Sequence, residues 1–260
     1  MNSLEREMVE VLKKLKNEYG VFEIKAEYEN EGSRQDELMR LKDVASSVGL
    51  PIITKIGGVE AITDIYNAMT LGVGGIIAPM AETKFAVSKF TNAVDTFVSE
   101  DNREDIEFAI NVETITSYNN IDDILSVENL DLLSGVTIGR VDFTASMGKD
   151  RSFADSEEML EYCTNVFSKC RDKGLSCGLG GAISANSSEF IKSLVSKNLI
   201  DKYETRKIVY HKDAVNNISE GILAGVEFEL LWLKSKRRYY HRIKSEDEKR
   251  IEMLEKRLNG

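Results

Sequence analysis

The chain has 260 residues, 42% hydrophobic and 30% charged, with a formal net charge of −10. That balance describes a globular chain rather than a disordered one, and the acidic surplus excludes non-specific nucleic-acid binding, which needs a basic face. No stretch approaches the roughly 18–20 apolar residues of a membrane span. The opening "MNSLEREMVEVLKKLKNEYG" is amphipathic and charged, without the apolar core of a secretory signal, so the cytosol is the expected location.

In chain order, helix and strand periods alternate. Leu4, Met8, Val11, Leu12 and Leu15 recur at helical spacing and predict a helix over 3–18. A strand follows at 21–26, then a helix at 34–47 and a strand at 51–56 introduced by Pro51. A helix at 59–71 stops at Gly72 before a strand at 74–79. A helix at 83–98 leads to a strand at 106–113, and a helix at 118–127 to a strand at 134–141. The last units are a helix at 156–173, a strand at 175–181, a helix at 187–198 and a strand at 206–210. Strands joined by helices imply right-handed crossovers and a parallel sheet, and strands apolar almost throughout imply cover on both faces. Seven such units in one line predict an α/β barrel of the (β/α)8 type, with one strand irregular and unread or the barrel incomplete or unusually closed, the first strand being the expected irregular one. Residues 1–212 are read as the barrel and 213–260 as a C-terminal helical extension.

That extension carries a basic patch, "KSKRRYYHR", best read as a solvated helix face. Tyr239, Tyr240, Ile243, Ile251, Leu254 and Leu258 form an apolar stripe, so contact with the barrel or with a second subunit is expected, giving a homo-oligomer. Cys163, Cys170 and Cys177 are odd in number and spaced by seven, which matches neither a disulfide framework nor a metal pattern; they read as small packing residues.

Barrels of this kind place chemistry at the carboxyl ends of the strands. There the chain offers Lys25, Glu27, Tyr28 and Glu29 after the first strand and Lys55 after the second. Asn111 and Glu113 end the fourth, Arg140 and Asp142 the fifth, and Gly180 and Gly181 the sixth. The glycines would let a ligand approach the backbone. In an extended chain Arg140 and Asp142 share a face. Glu113 and Asp142, each directly after an apolar strand, could form a hard oxygen site for Mg²⁺ or Mn²⁺. Ion pairing of each with a nearby base, Asp142 with Arg140 for instance, is an equal alternative.

The stretches "GVGGIIAPMAETKFAVSKF", "INVETITSYNNIDDILSVENLDLLSGVTIGRVDFTASMG" and "RDKGLSCGLGGAI" resemble the HpcH/HpaI aldolase and citrate lyase β-subunit family, which shares the phosphoenolpyruvate/pyruvate-binding TIM barrel. The resemblance runs through residues 20–210. The family pattern is an acid ending one strand, then about thirty residues on a glycine, an aspartate, a Ser or Thr and a further glycine. Here these are Glu113, Gly139, Asp142, Thr144 and Gly148.

The resemblance implies that Glu113 and Asp142 hold a divalent metal, Mg²⁺ or Mn²⁺, that stabilises an enolate of a 2-oxo acid. Arg140 and Lys55 would bind the substrate carboxylate, and Glu27 would orient metal-bound water. It also exposes departures. Lys55 stands where the pyruvate aldolases carry an arginine, and Tyr28 where they carry a histidine base; His211 and His241 lie elsewhere. Lys25 or Tyr28 could replace that base only with a shifted pKa. The expected activity is a metal-dependent carbon–carbon lyase or aldolase acting on a pyruvate- or oxaloacetate-like acid. Two alternatives stand beside it: a Schiff-base aldolase using Lys25 or Lys55, and a catalytically inactive barrel that binds a metabolite or partner.

Overall fold

The computed structural model describes residues 1–259. Eight strands close a barrel in chain order: β1 Val21–Glu27, β2 Ile52–Lys55, β3 Gly75–Ala78, β4 Glu107–Val112, β5 Gly135–Gly139, β6 Ser176–Gly180, β7 Lys202–Glu204 and β8 Ile208–His211. Neighbours from β1 to β7 are parallel, with Glu27 beside Lys55, Asn111 beside Thr137 and Gly139 beside Gly180. β8 is antiparallel to both β7 and β1 and closes the ring.

The strand missing from the sequence reading is therefore β7. It has only three residues, too few for an alternation to register. The irregularity lies at the closing end, since β1 is a full seven-residue strand. A tight hairpin through Thr205, Arg206 and Lys207 replaces the last crossover helix, held by the Thr205 N–H donating to Ile208 O over 2.9 Å. The helix read over 118–127 is two short pieces, Ile115–Asn119 and Ile121–Ile124. The strand read to 141 ends at Gly139, where the helix Arg140–Ser146 begins at once.

Two apolar cores divide the molecule. Most buried aliphatic and aromatic side chains lie between the strands and the surrounding helices. Cys163, Cys170 and Cys177 are buried, free thiols within this layer. Inside the ring, Ile53, Ile77 and Val209 form a small plug with Phe22 and Ala109. The polar ends of the strands sit above that plug.

Because β8 returns the chain to the base, the helix Ile218–Asn259 climbs back along the wall. It buries Ile218, Ile222, Phe228 and Trp232, and packs on the N-terminal helix Ser3–Glu18, where Ser235 hydrogen-bonds to Asn2 and Glu5. About two and three turns in, Val226 and Glu229 reach the barrel mouth. Tyr239 and Tyr240, from the predicted apolar stripe, both make contacts within the chain. They lie against the guanidinium groups of Arg40 and Arg34, at 5.1 and 5.2 Å from the ring centres, and the Tyr240 hydroxyl donates to Glu37. Among the described residues no helix is long and apolar enough to cross a membrane.

Candidate active site

A cavity of about 340 Å³ opens at the carboxyl ends of the parallel strands. It gathers Lys25, Glu27, Lys55, Asn111, Glu113 and Asp142. Gly180, Gly181 and the barrel residue Glu204 complete its wall. Alternation places Lys25 and Glu27 on the inner face of β1, with Lys55 of β2 next to Glu27 in register.

Glu113 follows β4 and is buried. Its Oε1 accepts the Met80 N–H over 3.0 Å, and its Oε2 accepts the Asn111 amide over 3.1 Å. The strand beside it is built to admit it, since a Cβ on Gly139 would stand 2.6 Å from Glu113 Oε2. Burial pushes the Glu113 carboxyl up; Lys55 and the Met80 amide oppose this, and the like charge of Asp142 adds to it. Asp142, in the first turn of its helix, is exposed at the cavity and has no ion-pair or hydrogen-bond partner among the described residues. The structural pairing of Asp142 with Arg140 is thereby overturned.

Arg140 also does not share a face with Asp142. The backbone turns helical at Gly139, so two residues separate the side chains by about 200° rather than aligning them. The guanidinium is fully buried and donates to the carbonyls of Ala154 at 2.8 Å, Gly181 at 2.9 Å and Gly180 at 3.4 Å, with Asp155 Oδ1 at 2.5 Å. It also lies over the Phe190 ring at 4.6 Å. Every donor edge is directed into protein, so Arg140 is a strut rather than a substrate ligand. It ties the Gly180–Gly181 wall to the 3₁₀ turn Arg151–Asp155. Gly181 has φ +76°, and a Cβ there would lie 2.5 Å from the Arg140 amide nitrogen, so this glycine is needed for close approach of backbone to backbone.

Both lysines are buried ammonium ions. Lys25 Nζ pairs with Glu204 and lies 3.4 Å from Glu27 Oε1. Lys55 Nζ is 2.7 Å from Glu29 Oε2 and 3.9 Å from Glu27 Oε1. Burial by itself would lower both pKa values, but Glu204 and Glu27 outweigh it at Lys25, and Glu27 and Glu113 at Lys55, so both are raised. A Schiff-base nucleophile needs the opposite shift. Borohydride reduction in the presence of pyruvate is expected to leave the intact mass of the protein unchanged, and a stable adduct on either lysine would reinstate that mechanism.

Glu27 is lowered: burial raises it, but Lys25 and Lys55 prevail. Tyr28 is outside the cavity lining. Its hydroxyl donates to Gln35 Oε1 over 2.9 Å, and burial pushes its pKa up to about 12, so it does not supply the missing base.

Sequence reasoning missed Glu204, because β7 went unread, and also Arg151 and Arg206, which reach the mouth from a 3₁₀ turn and the hairpin. Nothing in "KYE", three residues before a hairpin with Tyr203 and Glu204 both buried, signals Glu204. Neither histidine lines the cavity. Among the described residues no three His, Cys, Asp or Glu side chains are gathered as a metal cluster. A dication here would have two carboxylates and would keep several waters, which is the habit of Mg²⁺. The donor set fits such an ion. The like charge of Asp142 adds to the cost of ionising the buried Glu113, and the buried Asn111 Oδ1 beside it has no partner among the described residues.

An eight-strand barrel with acids and buried lysines gathered at its strand ends defines a protein of the α/β-barrel class with a polar cavity where such barrels carry their chemistry. The HpcH/HpaI aldolase/citrate lyase family model matches residues 38–190, and the chain belongs to that family. It is a lyase-type enzyme, in a family that is in general divalent-metal dependent. Among solved structures it superposes on citrate synthase SbnG with TM-score 0.60 at 18% identity, covering 76% of this chain and 80% of that one. The HpcH/HpaI aldolase from Desulfitobacterium hafniense DCB-2 gives TM-score 0.60 at 14% identity, over 78% and 82%. A family protein from Burkholderia cenocepacia J2315 gives 0.53 at 11%, over 74% and 90%. At these identities the likeness establishes the fold. No protein of curated function matches the sequence.

Proposed function

We propose that the chain is a divalent-metal-dependent carbon–carbon lyase or aldolase acting on a 2-oxo acid of the pyruvate or oxaloacetate kind. The observation that carries this reading is the pair of carboxylates Glu113, which is buried, and Asp142, which has no partner among the described residues, in a cavity that also holds two ammonium groups. Glu113 and Asp142 would hold Mg²⁺ or Mn²⁺. Such an ion, when bound, supplies a Lewis acid that stabilises the charge developing on the keto oxygen as the carbon–carbon bond breaks or forms.

The chain's own residues do the rest. Lys55, protonated and held in place by Glu29, provides the cation for the substrate carboxylate as a point charge rather than a fork. Lys25 keeps a second positive charge on the floor, fixed by Glu27 and Glu204. Glu27, held between the two lysines, stays ionised and orients water at the site. Val226 of the C-terminal helix covers one side of the mouth with an apolar surface. The retention of these acids, lysines and glycines argues against a catalytically silent barrel. A homo-oligomer belongs to the same reading. Leu223, Val226, Leu230 and Leu233 are each at least half exposed and recur at three- and four-residue spacing, a seam suited to a second copy.

Calorimetric titration of chelator-stripped protein with Mn²⁺, with and without pyruvate, tests the reading. Pyruvate is expected to strengthen metal binding, and Asp142→Asn to weaken it at least about tenfold. Absence of binding in the unsubstituted protein would overturn the reading.

A further inference from the structure

We propose that Glu204 is the catalytic carboxylate that moves the proton in this site, doing the work for which the chain has no histidine. The inference rests on the enolate chemistry proposed above and adds the group that makes and quenches the enolate. Glu204 ends β7 and lines the same cavity as Glu113 and Asp142. The ammonium of Lys25 feels the charge of both Glu204 and Glu113, so the two carboxylates act on one small volume.

The side chain is 3% exposed, and its two oxygens are treated differently. Oε1 accepts from Lys25 Nζ. Oε2 is buried with no hydrogen-bond partner among the described residues. An anionic oxygen left without a donor inside a protein is costly unless something arriving in the cavity uses it. Gly180 makes the room: a Cβ there would stand 3.0 Å from Glu204 Oε1 and 3.3 Å from its Cγ. The neighbouring strand thus admits this carboxylate just as Gly139 admits Glu113.

Other groups of the inner cavity are already engaged. Both Glu113 oxygens accept N–H donors, Glu27 is shared by two ammonium groups, and Lys25 and Lys55 hold protons rather than take them. Tyr28 and the histidines stand outside the cavity lining.

In the bond-forming direction, the Glu204 carboxylate takes a proton from C3 of the 2-oxo acid. The C–H electron pair becomes the enolate double bond, and the keto π pair moves to oxygen. C3 then bonds to the carbonyl carbon of an aldehyde or ketone acceptor, whose oxygen receives the proton back from the Glu204 carboxyl. In cleavage Glu204 takes the β-hydroxyl proton, the carbon–carbon pair becomes the enolate, and C3 recovers the proton. Glu204 ends each cycle as it began.

The experiment isolates the proton step from the bond-making step. The unsubstituted protein with Mg²⁺ and pyruvate in D₂O, without an acceptor, is expected to exchange the pyruvate methyl protons for deuterium, read by proton NMR. Glu204→Gln is expected to slow the exchange about a hundredfold or more. Its calorimetric affinity for pyruvate should stay within about threefold, since the residue is not assigned to binding. Glu204→Ala provides the second variant: formate added to the cavity it leaves is expected to restore exchange, which a merely structural glutamate would not allow.

Exchange by Glu204→Gln at the unsubstituted rate, or no rescue by formate in a variant that still binds pyruvate, would overturn this inference and leave the enolate site standing. An unsubstituted protein that neither binds nor exchanges pyruvate would overturn both.

Discussion

Arg140→Met is expected to lower the unfolding free energy by about 3 kcal/mol, the low end for breaking a buried ion pair from one side. The discount is physical: Asp155, which loses its partner, is 32% exposed and recovers part of its solvation from water. The larger loss is at the carbonyls of Ala154 and Gly180, which keep their burial and lose a charged donor, with that of half-buried Gly181 beside them. Methionine restores much of the volume and the packing on Phe190, so a cavity contributes little. Arg140→Lys should recover only a fraction, because one ammonium cannot serve acceptors on two separate segments. Urea unfolding with an unchanged m value reads the difference. A loss below about 1 kcal/mol would mean that the buried guanidinium is not the strut its contacts describe. Substrate affinity should suffer too, since Arg140 fixes the Gly181 wall and the turn that carries Arg151.

Arg140 is also where reading from sequence fails most clearly, and the reason is local. Val136–Ile138 is an apolar, β-branched run that reads as a strand and is one, but nothing in "GRVDF" reports that the chain becomes helical at the glycine. A period of two therefore misassigned the arginine while leaving Asp142 correctly at the mouth. Glu113 was legible because it ends a long strand whose apolar run cannot be mistaken. Glu204 was not, because a three-residue strand followed by a hairpin has neither the length nor the crossover helix that made the other strands visible. Gly180 and Gly181 read as glycines that let a ligand approach the backbone, whereas the structure packs the chain's own atoms against them. What approaches Gly139 and Gly180 is a neighbouring glutamate, and what approaches Gly181 is the Arg140 backbone. In the tail the aromatic pair at 239 and 240 lies against the chain's own Arg40 and Arg34, while Ile243, Ile251 and Leu254 of the same stripe stay exposed.

Glu113→Gln is expected to cost on the order of a thousandfold or more in turnover while leaving the metal-free protein at least as stable as before. The functional half follows from removing one of only two carboxylates available to a hard cation. The stability half follows from the folded state. Glu113 is buried, and its net shift is upward, so the native structure is better suited to the neutral form than the unfolded chain is. A carboxyl that holds its proton more tightly when folded makes the native state bind more protons than the unfolded one between the two pKa values. Stability of the metal-free protein therefore falls as pH rises from the ordinary glutamate range through the raised native value, and levels off above it. Glutamine has no such slope, so the variant should gain on the unsubstituted protein across that window and keep the gain at neutral pH.

Its amide can be accommodated. The carbonyl oxygen still accepts the Met80 N–H, and Asn111, whose Oδ1 has no partner, can turn to accept from the new NH₂. Mg²⁺ should then reverse the order, stabilising the unsubstituted protein by mass action and doing nothing for the variant. Melting curves from pH 4 to 8, with chelator and with Mg²⁺, separate these statements. A metal-free variant that melts below the unsubstituted protein at every pH would show that Glu113 serves the fold, and that its two N–H donors outweigh the burial of its charge.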